Sequence, residues 1–356
     1  MGDFYEMFFN DAVEAAAALD IALTKRGKHD GTDIPMCGVP VHAAEGYLLT
    51  LIRKGFRVAV CEQMESPAEA KKRGSKSVVK RAVVRLVTPG TLTEDTLLEA
   101  RRNNFLAAFA CVRDASALAW VDISTGEFRV APCPTERLSP ELSRLAPSEV
   151  LLSESEDGSL TSVVEESGAS ATELARASFD STAAVDRLTK LYEVASLEAY
   201  GNFSRAEVAA MGAVVDYLDL TQRGKRPLLR PPVRESGSAT VQIDAATRRN
   251  LELTRSLSGG RDNTLLSVID QTVTAGGARL LERRISAPSR FPEAIHARQS
   301  AVASLVEDAR LRDMLREALK RCPDIDRALS RIALERGGPR DLAAIRNGLE
   351  QAEQIA

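Results

Sequence analysis

Phe4 and Glu6 are the residues whose types and spacing could act on a nucleic acid. In a β-strand, residues two apart project from the same side, so the phenyl ring and the carboxylate would stand together. The ring could insert between stacked bases, and the carboxylate could hydrogen-bond the edge of the unstacked base. The alternative is an aromatic packed into the core from an edge strand. The same spacing recurs at Phe291-Pro292-Glu293, where Pro292 suits a helix start, so neighbouring motifs must decide.

Two clusters of basic residues could contact phosphates, although the whole chain carries a net charge of −3. The first, residues 71–85, lies in a stretch without an acid between Glu69 and Glu94. The second lies in a proline-rich segment, residues 223–234. A solvated surface loop is the alternative for each cluster. The basic residues are Lys71, Lys72, Arg73, Lys76, Lys80, Arg81 and Arg85, then Arg223, Lys225, Arg226, Arg230 and Arg234.

Composition bounds the class of protein. A chain of 356 residues predicts two or three domains. No apolar run reaches the roughly 18 residues of a transmembrane helix, and no secretory signal opens the chain, so no membrane association is predicted. The cysteines show no C-x-x-C spacing and the histidines are isolated, which predicts reduced thiols in a cytoplasmic protein and no metal site. The cysteines are Cys37, Cys61, Cys111, Cys133 and Cys322.

Motifs for nucleotide binding or catalysis are not found in the sequence. There is no G-x-x-x-x-G-K-[ST], no G-x-G-x-x-G and no G-x-S-x-G, and no histidine is placed beside a nucleophile. Two glycines before a helix at residues 258–265 could cradle an anion. A tight turn with a helix cap is favoured there, because no Lys or Ser/Thr stands where a phosphate loop needs one. We therefore expect a chain without enzymatic activity.

The first segment reads as a small α/β domain with a mixed sheet, ending near residue 95. Periodicity predicts strands at 4–9, 20–25, 56–60 and 78–87 and helices at 10–19 and 42–54, with a polar loop at 27–38.

Residues 103–222 read as a second α/β unit. Its predicted strands are 105–111, 117–123, 128–130 and 149–152, and its helices are 138–145, 183–191 and 206–218, with a surface loop at 154–172. Residues 223–240 read as a linker. The remainder is nearly all helical, with Asn263 and Thr274 as predicted helix caps. Its apolar stripe of Leu311, Met314, Leu315 and Ala318 is expected to be core.

Several motifs in order resemble the bacterial MutS family of mismatch repair proteins. The first is Met1-Gly2-Asp3-Phe4-Tyr5-Glu6-Met7-Phe8, which holds the candidate ring and carboxylate. Others are residues 23–27 (LTKRG), 34–40 (IPMCGVP), 84–91 (VRLVTPGT), 244–253 (DAATRRNLEL) and 258–266 (SGGRDNTLL). Together they cover essentially the whole chain.

The resemblance implies a multidomain α/β plus α architecture. Residues 1–95 would be the mismatch-binding domain, 103–222 a connector with a ribonuclease-H-like fold, 223–240 a linker, and 241–356 the start of the helical core and lever domain. ATP and Mg²⁺ belong to the full-length family's C-terminal ATPase domain, which is expected to be missing here together with a short segment before Met1. No cofactor and no ATP hydrolysis are expected of this chain.

The resemblance also implies a site and partners. Phe4 would stack on a mispaired or unpaired base and Glu6 would contact it, accepting from thymine N3–H when ionised or, once protonated, donating to a purine N7. The phosphate-contacting candidates are Lys25, Arg26, Met36, Lys76, Arg81 and Arg85. The expected partners are mismatched double-stranded DNA, a MutL-like protein on the connector and, for the full-length family, a second copy, in a cytoplasmic, nucleoid-associated setting. A protein-interaction scaffold with little DNA affinity is the alternative.

Overall fold

The computed structural model describes residues 3–74, 77–154, 158–225 and 227–355. Within them, the chain forms an N-terminal unit (residues up to 96), a middle unit (104–234) and a helical unit (245–355).

The N-terminal unit holds two small antiparallel sheets. One has the order β1–β3–β2 and the other pairs β4 with β5. Buried alanines of α1 pack against Cys37 and Leu51 between the sheets and helices. The elements are β1 Phe4–Phe8, α1 Phe9–Leu19, β2 Thr24–His29, β3 Thr32–Pro40, α2 Ala44–Arg53, β4 Val58–Gln63, α3 Pro67–Lys72 and β5 Arg81–Val87.

Two predictions for this unit were wrong. Its described strands pair only antiparallel, so there is no single mixed sheet. The predicted loop at 27–38 is instead part of a hairpin, β2–β3, turning at Asp30-Gly31, where φ is +49° and +79°. An Asp-Gly pair favours this two-residue turn because both positions need positive φ. Periodicity did not predict the hairpin because β2 is polar and exposed along its whole length.

The middle unit is a three-layer α/β/α fold. Its six-stranded sheet has the order β10–β9–β6–β7–β8–β11: β6, β7 and β8 form an antiparallel meander, and β9 and β10 continue parallel to β6. Helices α6 and α7 cover one face, and α4 and α5 cover the other. The elements are β6 Leu106–Val112, β7 Ala115–Asp122, β8 Glu127–Pro132, α4 Leu138–Leu145, β9 Glu149–Ser153, α5 Ser159–Glu166, β10 Ser170–Leu174, α6 Ser181–Tyr192, α7 Arg205–Thr221 and β11 Val233–Arg234.

Two segments of the middle unit differ from expectation. The predicted loop at 154–172 contains α5 and most of β10, while residues 155–157 lie outside the described chain. The predicted linker packs against the sheet: Leu229 is buried, the Arg230 amide donates to the Gly126 carbonyl at 2.8 Å, and β11 pairs with β8. The sequence pattern did not predict this packing because prolines and basic residues dominate the segment and carry no apolar periodicity, although its arginines form ion pairs with Asp326 and Glu207.

The helical unit contains α8 Ala245–Asn250, α9 Leu265–Ile269, α10 Ala275–Ser286, α11 Pro292–Glu307, α12 Ala309–Lys320, α13 Ile325–Ala333 and α14 Pro339–Ile355. Thr274 caps α10 as predicted, whereas Thr264, not Asn263, caps α9. The stripe on α12 was wrongly expected to be core: Met314 is 61% exposed and Leu315 and Ala318 are only half-buried, because the neighbouring helices cover that face in part. No helix among the described residues is long and apolar enough to cross a membrane.

Candidate nucleic-acid interface

Strand β1 presents Phe4 and Glu6 on one side. Phe4 is 58% exposed, which is unusual for a phenyl ring in a strand. The intervening Tyr5 projects to the other side, where its hydroxyl donates to Glu62 Oε1 at 2.5 Å. That hydrogen bond, together with burial, raises the pKa of Tyr5. Tyr5 thus fixes β1 to the second sheet and leaves the ring of Phe4 outside the core.

Gly38 is the residue of β3 that pairs with Glu6. A β-carbon built there would lie 3.3 Å from the Tyr5 carbonyl oxygen, 3.7 Å from Phe4 Cδ1 and 3.9 Å from Glu6 Cγ. The glycine therefore leaves room beside both side chains. A larger residue at this position would crowd the ring and the stem of the carboxylate.

Arg26 on β2 forms an ion pair with Glu6. The Glu6 side chain is 27% exposed and that of Arg26 is 52% exposed, so the pair is open to solvent. Nearby, Lys25 Nζ lies 2.8 Å from Asp33 Oδ2, and this hydrogen bond raises the pKa of Lys25. Both cations are placed where a phosphate can compete with a carboxylate for them.

The β2–β3 hairpin adds residues that sequence reasoning missed. Lys28 has no ion-pair partner in the described part of the chain and projects from the exposed hairpin. Phe9 and His29 make an edge-to-face contact with ring centroids 6.1 Å apart, which ties the hairpin to the end of β1. The Asp30-Gly31 turn signal could have revealed this basic hairpin.

The other predicted phosphate contacts are scattered. Met36 is half-buried on β3, opposite Phe8. Arg81 is exposed on the two-stranded sheet, and Lys76 lies outside the described residues. Arg85 is mostly buried and its guanidinium pairs with Glu94, so this cation already has a partner within the protein. The structure thus brings Phe4, Glu6 and Arg26 together and leaves Arg85 in a structural ion pair.

Among the described residues, no group of three or more histidine, cysteine or acidic side chains could hold a metal ion. The candidate site itself consists of a ring, a carboxylate and cations on one small sheet.

This combination of units is that of a DNA mismatch repair family. Protein-family models match three consecutive parts of the chain: residues 1–96 to MutS domain I, 104–230 to MutS domain II and 246–356 to MutS domain III. The chain belongs to the MutS family.

Relatives match over the full chain. It is 73% identical to the DNA mismatch repair protein MutS of Dinoroseobacter shibae, 71% to that of Paracoccus denitrificans and 70% to that of Ruegeria pomeroyi. Each comparison covers 100% of this chain and 40–41% of the relative. The chain therefore spans about 40% of the length of these curated relatives.

Proposed function

We propose that this chain recognises mispaired or unpaired bases in double-stranded DNA at the start of mismatch repair. The observation that carries the proposal is the exposed ring of Phe4 beside Glu6 on β1, with Arg26 against the carboxylate. The relatives' name, DNA mismatch repair protein, supports the same class of substrate.

Phe4 acts as a wedge in this proposal. Inserting an apolar side chain from the minor groove unstacks a base step and kinks the duplex, at a cost of a few kcal/mol per step. A mismatch has already lost part of its pairing, so the cost is lower there than at a Watson–Crick pair. The protein then discriminates by the deformability of the duplex, and it recognises many different mispairs in this way.

Glu6 makes the base contact once Arg26 is drawn away. In the free protein the guanidinium holds the carboxylate. A DNA phosphate can replace the carboxylate as a bidentate partner of Arg26, which leaves Glu6 available to the exposed base edge. Lys25 and Lys28 add phosphate contacts from the same hairpin.

The middle unit corresponds to the connector domain in this proposal. A three-strand meander continued by two parallel strands beside the first is the order expected of a ribonuclease-H-like fold. We assign a MutL-like partner to this unit. Dimerisation, ATP and Mg²⁺ we assign to the full-length protein, whose place of action would be the cytoplasm and the nucleoid.

Band shifts test the function. The chain should bind a G·T heteroduplex more tightly than the matched homoduplex, and Phe4→Ala should remove this preference while leaving most salt-dependent binding. Val13→Ala is the matched control, because Val13 is 46% exposed on α1, and α1 packs against the Met7 and Cys37 side of the sheet, opposite Phe4 and Glu6. Equal loss of binding to both DNAs in Phe4→Ala would contradict the wedge. Absence of DNA binding by the parent chain would favour the scaffold alternative.

A further inference from the structure

Glu149, at the start of β9, is a buried carboxylate that joins two units of the molecule. It is fully inaccessible to solvent. Its Oε2 accepts from the Thr88 hydroxyl at 2.5 Å and from the Gly90 amide at 2.9 Å, both in the turn that ends β5. Its Oε1 accepts from the Thr172 hydroxyl and the Tyr217 hydroxyl, each at 2.7 Å. One oxygen therefore serves the N-terminal unit and the other serves the middle unit.

The four donors compensate the burial of the carboxylate. A buried charge without hydrogen bonds is strongly unfavourable, and no cation pairs with Glu149 in the described residues. Burial and the neighbouring Glu149 raise the pKa of Tyr217, so its hydroxyl remains a donor. Both units therefore supply hydrogen bonds that compensate the burial of this carboxylate.

The turn that begins at Thr88 approaches this carboxylate closely. A β-carbon at Gly90 would lie 2.9 Å from Glu149 Cβ and 2.9 Å from Leu106 Cδ1, so only glycine permits the approach. Thr91 closes the turn by accepting from the Thr88 amide at 3.0 Å. The turn, which follows β5 directly, is thereby fixed onto the sheet of the middle unit.

We propose that Glu149 is a positioning residue that fixes the orientation of the N-terminal unit on the middle unit, through the division of its two oxygens between them. Further hydrogen bonds also join these units, but none of them divides one carboxylate between the two sides. Arg223 Nε donates to the Val83 carbonyl at 3.2 Å in an exposed position. Asn104 Nδ2 of the middle unit donates to the Pro89 carbonyl at 2.9 Å, so it supports the same turn from the other side. Without Glu149, the turn loses its central acceptor.

The two exposed cysteines provide a measurement of this orientation. Cys61 lies on β4 of the N-terminal unit and Cys111 on β6 of the middle unit, while Cys37 and Cys133 are buried. Burial also raises the pKa of Cys133 to about 12, which suppresses its reaction with a label. With Cys322→Ser as the background, spin labels on Cys61 and Cys111 report the distance between units by electron–electron double resonance.

Variants of Glu149 distinguish the effect of its hydrogen bonds to both units from the effect of its negative charge. Glu149→Ala should broaden the distance distribution. Glu149→Gln should give a distribution as narrow as that of the parent chain. Its amide oxygen can face Gly90 while its NH2 group donates to the hydroxyl oxygens of Thr172 and Tyr217. Glu149→Asp keeps the charge, but its side chain is one carbon too short to accept hydrogen bonds from both units, so the distance distribution should be broad. Glu173→Ala, an exposed acid on neighbouring β10, is the control and should stay narrow.

A further pair of variants keeps the proposal testable if Glu149→Ala does not fold. Thr88→Val removes a donor from the N-terminal unit and should broaden the distribution. Thr172→Val removes one from the middle unit alone and should leave the distance distribution narrow. A narrow distribution in both Thr88→Val and a folded Glu149→Ala would overturn the proposal, as would broadening by Glu149→Gln equal to that by Glu149→Asp. The measurement uses no DNA, so its outcome is independent of the proposed function.

Discussion

The guanidinium of Arg26 pairs with the carboxylate of Glu6 across the three-stranded sheet, joining β2 to β1 although β3 lies between them. The pair stands beside the exposed ring of Phe4. In the free protein it offsets the negative charge of Glu6, which would repel phosphates in the proposed complex with DNA. The relationship makes Arg26 both a phosphate-binding candidate and a restraint on Glu6.

Arg26→Gln should weaken binding to mismatched and matched DNA alike and reduce the slope of log affinity against log salt by about 1, because one phosphate contact is lost. In the Glu6→Gln background the same change should cost less, since no unpaired carboxylate remains to repel phosphates. Salt titrations of both DNAs by fluorescence anisotropy measure this. Lys190→Gln, at an exposed residue of α6 in the middle unit, is the control. An unchanged salt slope would exclude Arg26 from the phosphate contacts.

The sequence predicted the ring and carboxylate but not the ion pair. Phe4 and Glu6 are related by strand periodicity, which is a local property. Arg26 reaches Glu6 only because the hairpin folds β2 and β3 against β1, and that pairing joins strands distant in sequence. Helix α4 was predicted with the bounds it has, Leu138–Leu145, because its apolar periodicity is strong. Strand β10 was missed because five residues of mixed polarity carry little pattern.

Gly38→Val should reduce mismatch preference without unfolding the protein. The branched side chain would displace the Phe4 ring and the Glu6 stem, which lie 3.7 and 3.9 Å from the position of a β-carbon. We expect the ratio of mismatch to homoduplex affinity to fall roughly fivefold to tenfold, about 1–1.4 kcal/mol. Band shifts measure the ratio, and thermal unfolding should change little. Thr32→Val, exposed near the tip of the same strand, should leave the ratio unaltered.

Gly212→Ala should destabilise the middle unit. A β-carbon on this residue of α7 would lie 2.2 Å from Ala184 Cβ and 2.9 Å from Ala184 Cα on α6. Overpacking of this kind costs about 1–3 kcal/mol in the free energy of unfolding. Urea denaturation measures it. Adding Ala184→Gly should recover part of the loss, whereas Gly46→Ala, in open space on α2, should not destabilise. An unaltered unfolding midpoint for Gly212→Ala would show that the two helices can separate without cost.

Arg85→Gln should lower stability more than it lowers DNA affinity, because Arg85 is paired with Glu94 where both side chains are under one-fifth exposed. Burial opposes ionisation of Glu94, but the charge and hydrogen bonds of Arg85 outweigh it and hold the pKa of Glu94 below its ordinary value of 4.5. A lowered pKa stabilises the fold above about pH 4.5, and that contribution is lost as pH falls through the folded-state pKa. The expected loss at neutral pH is about 1.5–3 kcal/mol, typical of hydrogen bonds to charged groups. Urea unfolding between pH 7 and 3 should show the difference between parent and Arg85→Gln shrinking as Glu94 is protonated. A stability difference that stays constant down to pH 3, or a large loss of DNA affinity with unchanged stability, would contradict this structural role and assign Arg85 to the DNA interface.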